Sequence, residues 1–273
     1  MFNLKKILKK TYRSLVEKPI RELRVIKNKT GNKHKCNICG NTFNTFIKYH
    51  GGNKNIPEFR KRLHLVDSDR DNFGCPYCPA YDRERHLFLF FDKLNYWEKF
   101  TGSRVLHFAP EKNLSEKIRS LNPLQYIKAD YVPREKDVKK IDATNINFPD
   151  NSFDIVICNH VLEHIPQYLD ALSEINRVLK PNGIAILQTP YSKILKNNFE
   201  DENINTDEQR LYFYGEKDHF RIFGEENFLN DINVAGFDLE IIKNKDLFDE
   251  KISFYYGVNY HEDLIQVRKK NSF

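Results

Sequence analysis

The chain has 273 residues, 40% apolar, 13% aromatic and 30% charged, the balance of a folded protein with one large domain or one domain plus a small appendage; disorder, collagen and coiled coil do not fit it. The longest unbroken apolar run, Leu87 to Phe91, is far short of the roughly 20 residues that cross a bilayer. The lysine-rich start, with Lys5, Lys6, Lys9 and Lys10, lacks the apolar stretch of a secretory signal, so a cytoplasmic protein is expected.

The net charge of +6 is unevenly placed. Residues 1–35 hold twelve Lys and Arg against Glu17 and Glu22, a local charge of +10, which leaves the other 238 residues negative by four. Nucleic-acid coating by the body of the protein is therefore disfavoured, while the amino-terminal stretch is a candidate contact for something anionic. Residues 2–18 place Leu4, Ile7, Leu8, Tyr12, Leu15 and Val16 on one helical half and Lys6, Lys9, Lys10 and Arg13 on the other, stopped by Pro19. Such a basic amphipathic helix packs on its own protein or on a second subunit, or lies peripherally on the inner face of a membrane.

Cys36-Asn37-Ile38-Cys39-Gly40 is followed, with thirty-five residues between Cys39 and Cys75, by Cys75-Pro76-Tyr77-Cys78. Two Cys-x-x-Cys knuckles in a reducing compartment are a ligand set for tetrahedral zinc, and four thiolates leave no open position, so the expected ion is structural. The segment between them, with Phe43, Phe46, Tyr49 and Phe59, has too little apolar content to fold unaided.

From Ser103 strands and helices alternate. Arg104–Phe108 reads as a strand, Leu114–Leu121 as a helix, Tyr126–Asp130 as a second strand, Ile141–Ala143 as the edge of a third and Phe153–Cys158 as a buried fourth. Tyr168–Leu179 is helical, Pro181-Asn182-Gly183 a turn and Ile184–Leu187 a fifth strand. This order specifies a mostly parallel sheet with helices on both faces and ligands outside the strands' carboxyl ends. Asp130 stands twenty-two residues after Phe108, near the offset of about 20 at which a carboxylate grips ribose hydroxyls. Asp142-Ala143-Thr144 follows the third strand, where an acceptor meets an adenine amine. The acidic, aperiodic stretch 197–208 follows the fifth strand and has the character of a substrate lid.

Phe148 to Pro166, with Arg177 to Gly183, resembles the class I S-adenosylmethionine-dependent methyltransferases of the type 11 methyltransferase-domain family, over roughly Ser103 to Lys269. A subgroup shares the cysteine knuckles, an Arg-His pair (Arg85-His86), His-Phe-Ala-Pro-Glu after the first strand, and Asp-His-x-Arg (Asp218 to Arg221). The resemblance implies an α/β Rossmann-like class I methyltransferase fold with a mostly parallel seven-stranded sheet, preceded by a small zinc-ribbon-like module. It implies three parts: residues 1–30 as helix and linker, 31–100 as the zinc-knuckle module with a connecting helix, and 101–273 as the methyltransferase domain. S-adenosylmethionine is the implied cofactor, held by His107, Ala109, Glu111, Asp130, Tyr131, Asp142, Ala143 and Asn159, with structural zinc on Cys36, Cys39, Cys75 and Cys78.

The chain departs from the family at acidic-x-Gly-x-Gly-x-Gly, where His107, Ala109, Glu111 and Asn113 stand. Without glycine, positive φ and close backbone approach are restricted; Glu111 either meets the ammonium of the methionine moiety or caps the next helix. His160 and His219 are the candidate bases for a hydroxyl acceptor. The alternative reading has Glu163 and His164 organising the next helix and His219 pairing with Asp218. Arg221 is a candidate holder of an anionic acceptor, and Cys158 reads as core. The Asn/Asp-Pro-Pro-aromatic motif of base amino-methylation is absent. The implied activity is methyl transfer to a small-molecule or sugar-type (glycan) acceptor, in surface-polysaccharide synthesis by analogy. The alternatives are an RNA methyltransferase that grips RNA through the zinc module and a non-catalytic scaffold on the same fold. The sequence does not fix the oligomeric state.

Overall fold

The computed structural model describes residues 29–78 and 80–270; the helix expected over residues 2–18 lies outside them. At the amino-terminal end, β1 (His34–Lys35) pairs antiparallel with β2 (Thr42–Phe43). The short helix α1 (Glu58–Lys61) leads into β3 (Leu65–Val66) and then α2 (Asp82–Lys93). The remaining strands are β4 (Arg104–Phe108), β5 (Gln125–Asp130), β6 (Val138–Lys140), β7 (Phe153–Asn159), β8 (Leu179–Gln188), β9 (Tyr191–Ser192), β10 (Phe223–Gly224), β11 (Phe237–Ile242) and β12 (Leu264–Lys269). Between them run α3 (Lys112–Ser120), α4 (Tyr168–Val178), α5 (Asp207–Phe213), α6 (Glu225–Val234), α7 (Asn244–Leu247) and α8 (Glu250–Tyr256).

Seven strands form one sheet in the order β11-β12-β8-β7-β4-β5-β6, parallel throughout except for β12, which is antiparallel to both neighbours. This is the expected Rossmann-like arrangement. Its centre reads as continuous apolar runs because helices cover both faces: Val105 to Phe108 of β4 and Ile155 to Cys158 of β7 are all buried. One face packs Ala171, Leu172, Ile175 and Val178 of α4, spaced at one helical stripe. The other packs Leu114 and Ile118 of α3 with Leu87, Phe90 and Phe91 of α2.

Two local expectations shift. The third strand is β6, Val138–Lys140, paired to β5, and Ile141–Ala143 is the turn after it. Pro181–Gly183 lies inside β8 as a bulge: pairing with β7 jumps from Phe153↔Leu179 to Ile155↔Ile184, with Asn182 at φ 61°.

The knuckle region is fastened to the sheet domain at several places, of which the following bear on the site. β3 joins β9 and β10 in a small sheet through Leu65↔Ser192 and Val66↔Tyr191. The His34 ring lies against Phe254 of α8, its Nδ1 2.9 Å from the Phe254 carbonyl. Arg85, buried in α2, donates to the carbonyls of Asn72, Phe73 and Ala80 on the knuckle side and of Tyr256 and Gly257 on the other. Among the described residues, no helix is long and apolar enough to cross a membrane.

Candidate active site

Strand order reverses at β4, flanked by β5 on one side and β7 on the other, so the crevice of the fold opens at the tips of β4 and β7. The loop after β4 makes its left-handed turn without glycine: Ala109 takes φ 44° and its N–H donates to the Ala129 carbonyl at 2.8 Å. An L-residue accepts this at roughly 1–2 kcal/mol. Glu111 occupies the N-cap position of α3 but makes no side-chain cap. Its carboxylate instead lies 3.0 Å from His107 Nε2 and accepts from Asn159 Nδ2 at 2.6 Å, while His107 Nδ1 is 2.8 Å from the Tyr126 hydroxyl. Burial opposes charge on Glu111, but the His107 contact and Arg83, 3.9 Å away, outweigh it and hold the carboxyl below its ordinary range.

Two buried polar atoms beside this carboxylate have no hydrogen-bond partner, the Asn159 side-chain carbonyl and Arg83 Nε. An orphaned acceptor next to an anion complements an ammonium, and an orphaned guanidinium donor complements a carboxylate; together they fit the zwitterionic end of an amino acid. On the β5 and β6 side, Asp130 Oδ1 accepts from the Val132 N–H at 2.8 Å, and Asp142 Oδ1 accepts from the N–H and hydroxyl of Thr144. The second oxygen of each carboxylate has no hydrogen-bond partner among the described residues. Ala143 is buried and Tyr131 exposed. The donor set therefore fits S-adenosylmethionine laid across the rim: acceptors for ribose and adenine at one end, a buried ion pair's worth of polarity at the other.

His160 and His219 converge on Glu163. His160 Nδ1 is 3.5 Å from Glu163 Oε1 and its Nε2 is 3.8 Å from Glu262 Oε1. Burial works against its charge, yet the two carboxylates prevail and push the imidazole up to about 10, a direction that favours the imidazolium and works against a role as base. His219 differs: burial pulls it down to about 4, and it stands edge-on to His164, ring centroids 4.6 Å apart. Asp218 Oδ1 pairs with His164 Nδ1 at 3.4 Å, not with His219, and Thr189 Oγ1 donates to Glu163 Oε2 at 3.0 Å. Arg221 is occupied by the Ile165 and Pro166 carbonyls and by Glu200, so it organises the loop after β7. Stretch 197–208 is tied down by reciprocal backbone bonds between Phe199 and Ile222 and by a Thr206–Gln209 capping box on α5.

Cys36, Cys39, Cys75 and Cys78 come together as free thiols, all four sulfurs within 4.8 Å of one another. Cys36 Sγ to Cys78 Sγ is 3.6 Å and Cys39 Sγ to Cys75 Sγ 3.8 Å. Four sulfurs at about 2.3 Å on a tetrahedral ion are about 3.8 Å apart, so the set fits zinc.

Arg83 and Glu262 escaped the sequence reading. Arg83 lies in α2, ahead of the sheet domain, with only the adjacent Arg85-His86 pair to draw attention to it. Glu262 enters from the segment before β12 and also receives Gln188 Nε2 at 3.1 Å; no motif marks it.

Residues 99–187 match the family model described as a methyltransferase domain. The demethylmenaquinone methyltransferase of Staphylococcus haemolyticus is 53% identical over 45 residues, 16% of this chain and 19% of that protein. The corresponding protein of Staphylococcus epidermidis is 51% identical over the same length, with the same coverage. The chain thus matches about a fifth of the length of these curated relatives. Among solved structures, a methyltransferase-like protein of Bacillus halodurans covers 66% of this chain and 98% of its own, at 20% identity and TM-score 0.44. An S-adenosylmethionine-dependent methyltransferase of Mesorhizobium loti covers 66% and 97%, at 12% identity and TM-score 0.48.

Proposed function

We propose that the chain is an S-adenosylmethionine-dependent methyltransferase acting on a small-molecule or sugar-type acceptor, with a structural zinc on its four knuckle cysteines. The observation that carries this is the pair of orphaned buried atoms, Asn159 Oδ1 and Arg83 Nε, beside the Glu111 carboxylate at the switch point of the sheet, in a segment that matches a methyltransferase domain. When bound, the cofactor supplies an electrophilic methyl group on a sulfonium. Glu111 and Asn159 receive its ammonium, Arg83 its carboxylate, Asp130 the ribose hydroxyls, and Asp142 with Ala143 the adenine edge. The protein's contribution is then largely position, since in-line transfer needs the acceptor about 3–3.5 Å from the methyl carbon.

A cavity of about 400 Å³ between the knuckle region and the α8 end, walled by Arg60, Asp67, Asn72, Asn259 and Tyr260 among others, shares no wall residue with the set that would hold the cofactor, so the acceptor is not assigned to it. A small acceptor is in keeping with the name of the matched relatives, and the net negative body of the protein does not favour RNA. Calorimetric titration of the full chain with S-adenosylhomocysteine tests the assignment. One site per chain is expected; a folded, zinc-bearing protein that gives no heat and no thermal shift would overturn it.

A further inference from the structure

We infer that Glu163, His164 and His219 form a second metal site, for one divalent transition-metal ion, at the carboxyl edge of the sheet. Glu163 and His164 sit in the 3-10 turn after β7, and His219 comes from the loop after α5. A backbone bond, Phe220 N–H to the Glu163 carbonyl at 2.9 Å, holds the two segments together. Each residue offers one donor atom, and these atoms all lie within 4.8 Å of one another. Ligands at about 2.1 Å on a tetrahedral ion are about 3.4 Å apart, so side-chain adjustment of about 1 Å closes the triad.

The surroundings are those of a ligand set. Metal-bound imidazoles donate their other ring N–H to a carboxylate, and metal-bound carboxylates are themselves hydrogen-bonded. Here Asp218 Oδ1 lies 3.4 Å from His164 Nδ1, and Thr189 Oγ1 donates to Glu163 Oε2 at 3.0 Å. His219 is buried, 7% exposed, and its ring stands edge-on to His164 with centroids 4.6 Å apart. Two imidazoles and one carboxylate select zinc, manganese, iron or cobalt over calcium. Three protein donors leave positions open to water or to an acceptor oxygen, unlike the closed four-thiolate set. His219 is then a ligand and not a base.

Binding does not depend on methyl transfer, so the test reads the metal alone. The full chain, loaded with one equivalent of zinc, which the four thiolates take first, is titrated with Mn²⁺, a hard ion that thiolates do not retain, and free Mn²⁺ is followed by electron paramagnetic resonance. One Mn²⁺ per chain is expected, with affinity lowered tenfold or more in His219→Gln and in His164→Ala. The second variant alters a partly exposed side chain and so keeps the fold; circular dichroism checks both. Absence of Mn²⁺ uptake at millimolar concentration, or uptake unchanged in both folded variants, overturns the site. S-adenosylhomocysteine binding is measured on the same samples, so loss of this site and loss of the proposed function are separately visible.

Discussion

Replacing Arg85 by Met should unlock the knuckle region from the sheet domain. The side chain has no solvent exposure, and its three nitrogens donate to five backbone carbonyls: Tyr256 at 3.0 Å, Phe73 at 3.1 Å, Ala80 and Gly257 at 2.8 Å, and Asn72. The guanidinium also lies over the Phe46 ring, 4.1 Å from its centroid. Met fills a similar volume but leaves every carbonyl without its donor. Each such bond to a charged group is worth about 1.5–3 kcal/mol by mutation. They are not additive, because the cation's own desolvation is relieved and water enters; removing one member of a buried ionic network typically costs about 3–5 kcal/mol. A loss on the order of 4 kcal/mol corresponds to a Tm lower by about 10 °C for a chain of this size. Arg85→Lys should recover less than half, since one ammonium cannot reach both the knuckle carbonyls and those after α8. Thermal melts followed by circular dichroism and calorimetry decide it. A Met variant melting within about 2 °C of the parent would show that the five bonds do not hold the two parts together.

Four other outcomes follow from the same structure. Asp130→Ala should weaken S-adenosylhomocysteine more than tenfold by calorimetry, as expected for a charged acceptor of two hydroxyls; equal affinity would remove Asp130 from the site. Stripping metal with a chelator should release zinc from the four thiolates, read with a chromophoric indicator, and lower the melting temperature, because the cluster around Cys36, Phe43, Phe46, Cys75 and Ala80 is too small to stand alone; a melt unmoved by chelation counts against it. Gly257→Ala should destabilise by about 2–4 kcal/mol in urea unfolding, since the residue ends α8 at φ 62° and an added Cβ would meet the Phe46 ring at 2.2 Å; a neutral effect would mean that the Phe46 contact is loose. Asp82 is pushed up to about 6 by burial, partly offset by Arg85, above an unfolded value of about 3.9. Its contribution to stability is therefore complete below about pH 4 and lost as pH rises through 6. Asp82→Asn should gain on the parent by on the order of 2–3 kcal/mol between pH 4 and pH 7; parallel stability profiles would contradict this.

What the sequence showed plainly was local. The cysteine knuckles and the alternation from Arg104 to Leu187 are patterns in neighbouring residues, and each maps to an element within a few positions. β6 was misplaced because Val138-Lys139-Lys140 is a polar edge strand with no residue fully buried, whereas the buried Ile141 and Ala143 of the following turn imitate a strand. Contacts between distant segments left no local trace. β3 pairs with β9 across more than a hundred residues, Arg85 reaches Gly257, and Glu262 arrives at His160 from just before β12. Each is fixed by tertiary packing, on which periodicity is silent.

The glycine-free loop shows how these long-range contacts and the chemistry are linked. In the family pattern glycine does two things, permitting a left-handed turn and letting backbone approach a ligand. Ala109 keeps the turn at φ 44°, so only close approach is given up. Under the proposed function side chains take its place: Glu111 from the loop, Asn159 from β7, and Arg83 from α2. Arg83 shares that helix with Glu84, whose carboxylate accepts from the Leu114 N–H and Asn113 Nδ2 at 2.8 Å each, and with Arg85, which grips the knuckle. The helix that seats the cysteine module is therefore the same element that finishes the rim of the crevice. A metal on the four cysteines, some distance from any chemistry, would act on the site by fixing where α2 begins.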